Sequence, residues 1–240
     1  EKYLPRGEKQ NIGEEKMDCV SRAVTNWEES ELTYAYRNNL LTPEQKEHLE
    51  KNRYVNLYKE VVLADAYLAI LSGTTREGNS LKAPVHTRYK MGNVPKSLLP
   101  QLNTFDEHHN PERITSQIKK LGEEHARLFP IKYEQISEVQ FSENDDDAIV
   151  AVYAWSEPKN GIYPRVEYAP NHSVRRFIKL VNHSVFDNYD VGGVFVKHLA
   201  PDFNFMDYGY RLYFLSASEI ISKKTLFQKF LEFLKEYNFL

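Results

Sequence analysis

The chain has 240 residues, 41% hydrophobic and 27% charged, with 31 Lys and Arg against 34 Asp and Glu and a single cysteine. That length holds a sizeable core, as one large domain or two lobes sharing a cleft, while the balanced, unblocked charge excludes a nucleic-acid arm or a polyacidic tail. No apolar run is long enough for a membrane span, and the N-terminal EKYLPRGEKQ lacks the core of a signal peptide; a lone cysteine forms no internal disulfide, which points to the cytoplasm or to a particle assembled there.

In chain order, the first half reads as helix. Val20, Ala23, Val24 and Trp27 fall on one face at helical spacing and predict a helix over 19–38, with Asp18 as its N-cap and Cys19 in its first turn. Thr42-Pro43-Glu44 is a second helix start. A third helix is expected over 60–71, ending in the turn-rich SGTTREGNS, and a fourth over 81–91, stopped by Gly92 and Pro95. Asn110-Pro111-Glu112 opens another, carried by Ile114, Ile118, Leu121, His125 and Leu128 to Pro130.

From Ile131 the period changes. IKYEQISEVQF, DAIVAVYAW, RVEYA, HSVRRFIKLV, GGVFVKHL and YGYRLYFL are β-branched or aromatic runs bounded by turn residues, the signature of a mostly antiparallel sheet. The fold class expected is therefore α+β, with a helical lobe over 1–130 and a β lobe over 131–222. The tail places Leu226, Phe227, Phe230, Leu231, Leu234 and Tyr237 on one stripe, an amphipathic helix over 223–240 suited to packing on the domain or on a neighbouring subunit. The acidic SENDDD reads as a solvated loop.

Three residues carry candidate chemistry. A thiol in the first turn of a helix faces the positive end of the helix dipole, which favours the nucleophilic thiolate, so Cys19 is a candidate nucleophile. His48, His86, His108, His109 and His125 lie in polar stretches and are expected at the surface, whereas His172 starts a strand, where a rigid backbone can present its ring to a facing helix. Asp187 and Asn188 follow at the end of the next strand, and a hairpin of that length returns Asp187 beside His172, where a carboxylate orients the imidazole. His183 is a rival base, placed in the expected hairpin turn. His108-His109 with Asp106 and Glu107 has no second ligand pair at metal-site spacing, so no metal is assigned. GTTREGNS lacks the Lys and the preceding strand of a phosphate loop, and no cofactor is assigned either.

This order and spacing resembles the papain-like cysteine peptidases: a Cys opening the long helix of a helical lobe, a His starting a strand about 150 residues later, and an Asn or Asp soon after it. MDCVS stands where the family has its Cys motif, NHSV holds the His, and FDNY takes the place of the NSW-type motif. The resemblance implies a cleft between the lobes, Cys19 as nucleophile, His172 as base and Asp187 as the orienting residue. It further implies Gln10, with Asn11 as competitor, as the oxyanion donor, and Gly78 and Asn79 as one wall of the substrate groove, since LADAYLAILSGTTREGN is similar to the family's groove-lining stretch. YKMGNVPKSLLP resembles the segment that follows it. The substrate implied is a peptide or protein. The likeness looks nearest to disulfide-free forms from bacteriophage and uncultured microbes, which brings in a virion location and an inactive papain-fold component of a phage particle as an alternative. DCVS also resembles the DCSG start of cell-wall endopeptidases, which implies peptidoglycan peptides as a further substrate class.

Overall fold

The computed structural model describes residues 3–5, 9–10, 12–137, 148–152, 157–165, 172–179, 183–191, 194–203 and 205–215. The expected tail helix, the SENDDD loop, Asn11 and nearly all of RVEYA lie outside the described residues.

Helix α1 (Cys19–Arg37) forms where the apolar spacing predicts it. Asp18 precedes it without capping it: its side chain accepts no backbone bond and takes Arg22 Nε at 2.9 Å instead. Helix α2 (Pro43–Lys51) starts with a full capping box between Thr42 and Gln45. The third helix is shorter than expected. Only Asp65–Leu71 is helical (α3), because the amides before it are claimed by α1 side chains: Val61 N donates to Thr33 Oγ1 (2.9 Å) and Leu63 N to Glu29 Oε1 (2.7 Å). An amide committed sideways cannot also close a helical turn. Helices α4 (Lys82–Met91) and α5 (Phe105–His108) follow. Asn110-Pro111-Glu112 makes only one turn of 3₁₀ helix, and α6 (Ser116–Leu128) is capped by Thr115, whose Oγ1 accepts from Ile118 N at 3.3 Å.

The second half supplies strands β1 (Ile131–Ser137), β2 (Ala148–Val152), β3 (Ile162–Tyr163), β4 (His172–Lys179), β5 (His183–Val191), β6 (Val194–Leu199) and β7 (Phe205–Phe214). Among the described residues they form one seven-stranded sheet in the order β1-β7-β2-β4-β5-β6-β3. Every pairing is antiparallel except β3 with β6. The α+β class is thus observed.

Alternation along the strands sorts the sheet into two faces. Ile131, Ile149, Tyr210 and Leu212 join Val20, Ala23, Val24 and Trp27 of α1 in one core, with Tyr67, Leu68, Val85 and Val94 from the other helices. Ile136, Val150, Tyr163, Val174, Val185, Leu199 and Phe203 form a second core.

Helix α1 is buried on nearly all sides from Val20 to Ser30, polar residues included. Each buried polar side chain therefore needs a partner. Glu28 holds Arg88 and His125, Arg22 holds Asp18 and Asp65, and Ser30 accepts from Arg175 of β4, which also donates to Asn26 O at 2.8 Å. That last contact fixes helix and strand side by side. From Cys19 to Asn26 the helix advances about 10 Å, and from His172 to Arg175 the strand advances about the same. Arg175 on Asn26 therefore brings the first residue of β4 to the first residue of α1.

Candidate active site

Cys19 is the first residue of α1 and half-buried against the helical core. The first amides of a helix have no intrahelical acceptor, so the sulfur lies at the positive end of α1. The neighbouring Asp18 carboxylate would oppose that polarity if left bare. Burial pushes Asp18 up, but the Arg22 guanidinium and the His108 ring outweigh it and hold the carboxyl well below the usual carboxylate range. Arg22 also reaches Asp65 Oδ2 at 3.1 Å, so one guanidinium serves both carboxylates beneath the thiol. His108 accepts from Leu102 N through Nδ1 (3.3 Å), which leaves Nε2 as the protonated nitrogen facing Asp18 Oδ2 at 3.3 Å.

The segment before Cys19 is fastened from inside. The Lys16 ammonium donates to Ile12 O (2.9 Å), to Asn103 O (2.7 Å) and to Glu14 O. Gly13 adopts φ +71°, and a Cβ there would stand 2.4 Å from Asn103 O, so only glycine allows this approach. Met17 takes φ +54°, a left-handed conformation that a side chain resists, two residues before the thiol. Glu15 Oε1 steadies it by accepting from Met17 N (3.1 Å) and from Gln10 Nε2 (2.6 Å). Gln10 is thus buried with its amide donating to Glu15, and the competitor Asn11 is outside the described residues.

His172 opens β4, and its Nε2 lies 2.6 Å from Asp187 Oδ1 on β5. With Nε2 engaged, Nδ1 is the nitrogen left to face Cys19, whose proximity helps raise the ring's pKa. Register explains the pairing of His172 with Asp187. His172 is two residues before Val174 and Asp187 two after Val185, so both share the face of the second core. Burial pushes the His172 pKa down, yet Asp187 and Cys19 together raise it to about 10. The other oxygen of Asp187, Oδ2, is 2.9 Å from Lys197 Nζ, and both of these side chains are buried. His183 pairs its backbone with Lys179 at the turn end of the hairpin, about 23 Å of strand from His172.

Gly78 and Asn79 belong to a tight turn closed by the Thr75–Gly78 bridge. Gly78 has φ +99°, and its nearest neighbour on the side-chain side is Met17 Cε, 3.9 Å from where a Cβ would stand. The turn therefore lies against the segment leading into Cys19. Asn79 Nδ2 is spent inside the turn, donating to Ser72 O, Ser72 Oγ and Thr74 Oγ1.

Three histidines expected at the surface are buried instead: His48, His108 and His125. A polar neighbourhood in sequence marked them as exposed, but each ring is taken up by a partner the sequence does not place beside it, such as Glu28 on His125 at 2.9 Å. His109 faces Phe105 O through Nδ1 while His108 turns to Asp18, so the two diverge, and among the described residues no group of His, Cys, Asp and Glu has the arrangement of a metal centre. Lys197 is the residue at this site that sequence reasoning missed. Its signal was there: in VFVKHL it shares the phase of Leu199, a charge in the inward register of a strand.

Neither a protein-family model nor a curated protein matches the chain. Among solved structures it is similar to xylellain, a cysteine protease from Xylella fastidiosa, at 10% identity and a TM-score of 0.57 over 89% of this chain and 85% of that one. It is also similar to digestive procathepsin L 3 of Tenebrio molitor larval midgut, at 10% identity and a TM-score of 0.50 over 88% of this chain and 66% of that one. The chain has the fold of papain-like cysteine proteases.

Proposed function

We propose that the chain is a papain-like thiol hydrolase of peptide or amide bonds, acting in a cleft between a helical and a β lobe. The observation that carries this reading is the row Cys19, His172, Asp187, assembled from a helix start, a strand start and the returning strand of a hairpin. With His172 protonated up to about pH 10, the ring rests as an imidazolium at neutral pH, and the reactive form of the proposed pair sets it beside the Cys19 thiolate. The sulfur attacks the carbonyl carbon and the oxygen becomes an oxyanion, met by the Cys19 backbone N–H and by an amide of the preceding segment, Gln10 or Asn11. The imidazolium gives its proton to the leaving amine as the C–N bond breaks, which leaves a thioester. His172, now neutral, takes a proton from water, the hydroxide equivalent attacks the thioester, and the thiolate departs as the imidazolium re-forms. Asp187 orients the ring throughout and favours its charged form. Gly78 and Asn79 would line the groove, consistent with their turn lying against Met17.

Incubation with a peptidyl electrophile that alkylates thiolates tests this. Labelling of the parent is expected on Cys19, and Cys19→Ala should abolish both labelling and peptide hydrolysis; undiminished hydrolysis in that variant would sink the site. The alternatives give different outcomes in the same experiment: an inactive phage-particle component takes no label, and a peptidoglycan endopeptidase solubilises isolated cell wall while leaving protein substrates whole.

A further inference from the structure

Asp187 is a carboxylate sealed in the apolar core of the sheet, and its two oxygens are used differently: Oδ1 on His172, Oδ2 on Lys197. An uncharged amide at this position would need no counter-cation. A buried carboxylate is stabilised by one, because the cation offsets charge that water no longer screens. Lys197 comes from β6, where it stands directly opposite Val185, so its Nζ crosses diagonally to Asp187 two residues further along β5. The Tyr163 ring closes the far end of the row, 5.9 Å from Nζ. Titratable groups adjoining this row include Asp18, the residue before α1, and Tyr163 of β3, on which Glu157 also acts.

We propose that Lys197 is a positioning residue of this site: it grips Asp187 through Oδ2, aims Oδ1 at His172, and offsets the carboxylate so that His172 can release its proton to the departing amine. This rests on the thiol-hydrolase reading. In the reactive form of the proposed pair the row alternates in sign, thiolate, imidazolium, carboxylate, ammonium, and sums to zero. Without the ammonium, the Asp187 charge would act more strongly on His172. The imidazolium would be overstabilised, a weaker acid towards the leaving group, and Oδ2 would lose the cation that holds it.

Lys197→Gln and Lys197→Met test it, with the pH dependence of Cys19 alkylation by iodoacetamide and the nitrogen-15 titration of His172 as readouts that need no peptide substrate. Removal of a buried cation favours the protonated form of every neighbouring group. The His172 titration and the pH at which alkylation sets in should both move up by about one unit, and kcat for a peptide should fall about tenfold with KM unchanged. Gln can still donate to Oδ2, so Lys197→Gln gives the reading if Lys197→Met does not fold. In the parent itself, the Lys197 side-chain nitrogen resonance should move as His172 titrates, and a resonance indifferent to that proton overturns the proposal. A folded Lys197→Gln with the parent's two titrations also overturns it while leaving the hydrolase reading intact. A parent whose Cys19 alkylates as an isolated thiol sinks the hydrolase reading first, and this inference with it.

Discussion

The molecule contains two buried pairs built from the same parts, and they behave oppositely. Glu28 and His125 meet at 2.9 Å among the helices, with Arg88 also on the carboxylate; Asp187 and His172 meet at 2.6 Å in the sheet, with Lys197 also on the carboxylate. Burial wins at His125, whose pKa is lowered in spite of Glu28, whereas His172 is raised to about 10. Two differences account for this. Arg88 and His125 compete for one oxygen, Glu28 Oε1, while Lys197 and His172 take separate oxygens of Asp187. His172 also meets a thiol that can carry charge, and for His125 the cation Arg88 works against protonation. A buried carboxylate–histidine pair thus holds its proton or gives it up according to how the second cation is attached and what lies on the ring's other side.

The sharpest way to break the comparison is to remove each ring. His172→Ala should lower kcat/KM for a peptide substrate by at least about a thousandfold, and lower the thermal midpoint too, because Asp187 loses its partner. His125→Ala should leave kcat/KM within a few-fold while lowering stability by about 2 kcal/mol through the lost bond to Glu28, read from urea unfolding.

A pH series of thermal midpoints sharpens it further. His172 rises from 6.5 in the unfolded chain to about 10, so its contribution is complete below about pH 6.5 and is lost as pH climbs through about 10. Burial pushes Glu28 up, but Arg88 and His125 lower it from 4.5 to about 2, so its contribution is present above pH 4.5 and fades as pH falls towards 2. His48, lowered by burial and then by His125 to about 4, adds to the acid loss between pH 6.5 and 4. The expected curve has its maximum near pH 6.5 with both limbs falling; His172→Phe should remove the alkaline fall and leave the acid one.

The smallest effect concerns the frame around the Glu28–His125 pair. A Cβ on Gly122 would meet Tyr67 Oη at 2.1 Å and Met91 O at 2.7 Å, and one on Gly92 would meet Gly122 O at 2.0 Å, so α4 and α6 touch through two glycines. Gly122→Ala should cost about 1–3 kcal/mol by overpacking without altering the His172 titration.

What was legible in the sequence was local. Helix starts at Cys19 and Pro43, the change of period at Ile131 and the hairpin spacing from His172 to Asp187 are carried by neighbouring residues, and each has its counterpart in the structure. What was not legible depended on distant partners. The stretch before α3 looked helical until Thr33 and Glu29 took its amides. His48, His108 and His125 looked solvated because their flanks are polar, and Asp18 looked like a cap because only its position, not Arg22 and His108, was in view. Lys197 escaped for the same reason, since the fate of an inward charge is decided by the strand beside it.

Arg175 has a consequence for the gap between thiol and imidazole. It stands three residues along β4 from His172, and through Asn26 and Ser30 it grips α1 about two turns from Cys19. Neither reactive group is touched, yet the clasp sets the angle at which strand and helix converge. The separation of Cys19 from His172 is therefore adjustable from a distance, by changes at positions 26, 30 or 175 that leave both side chains in place.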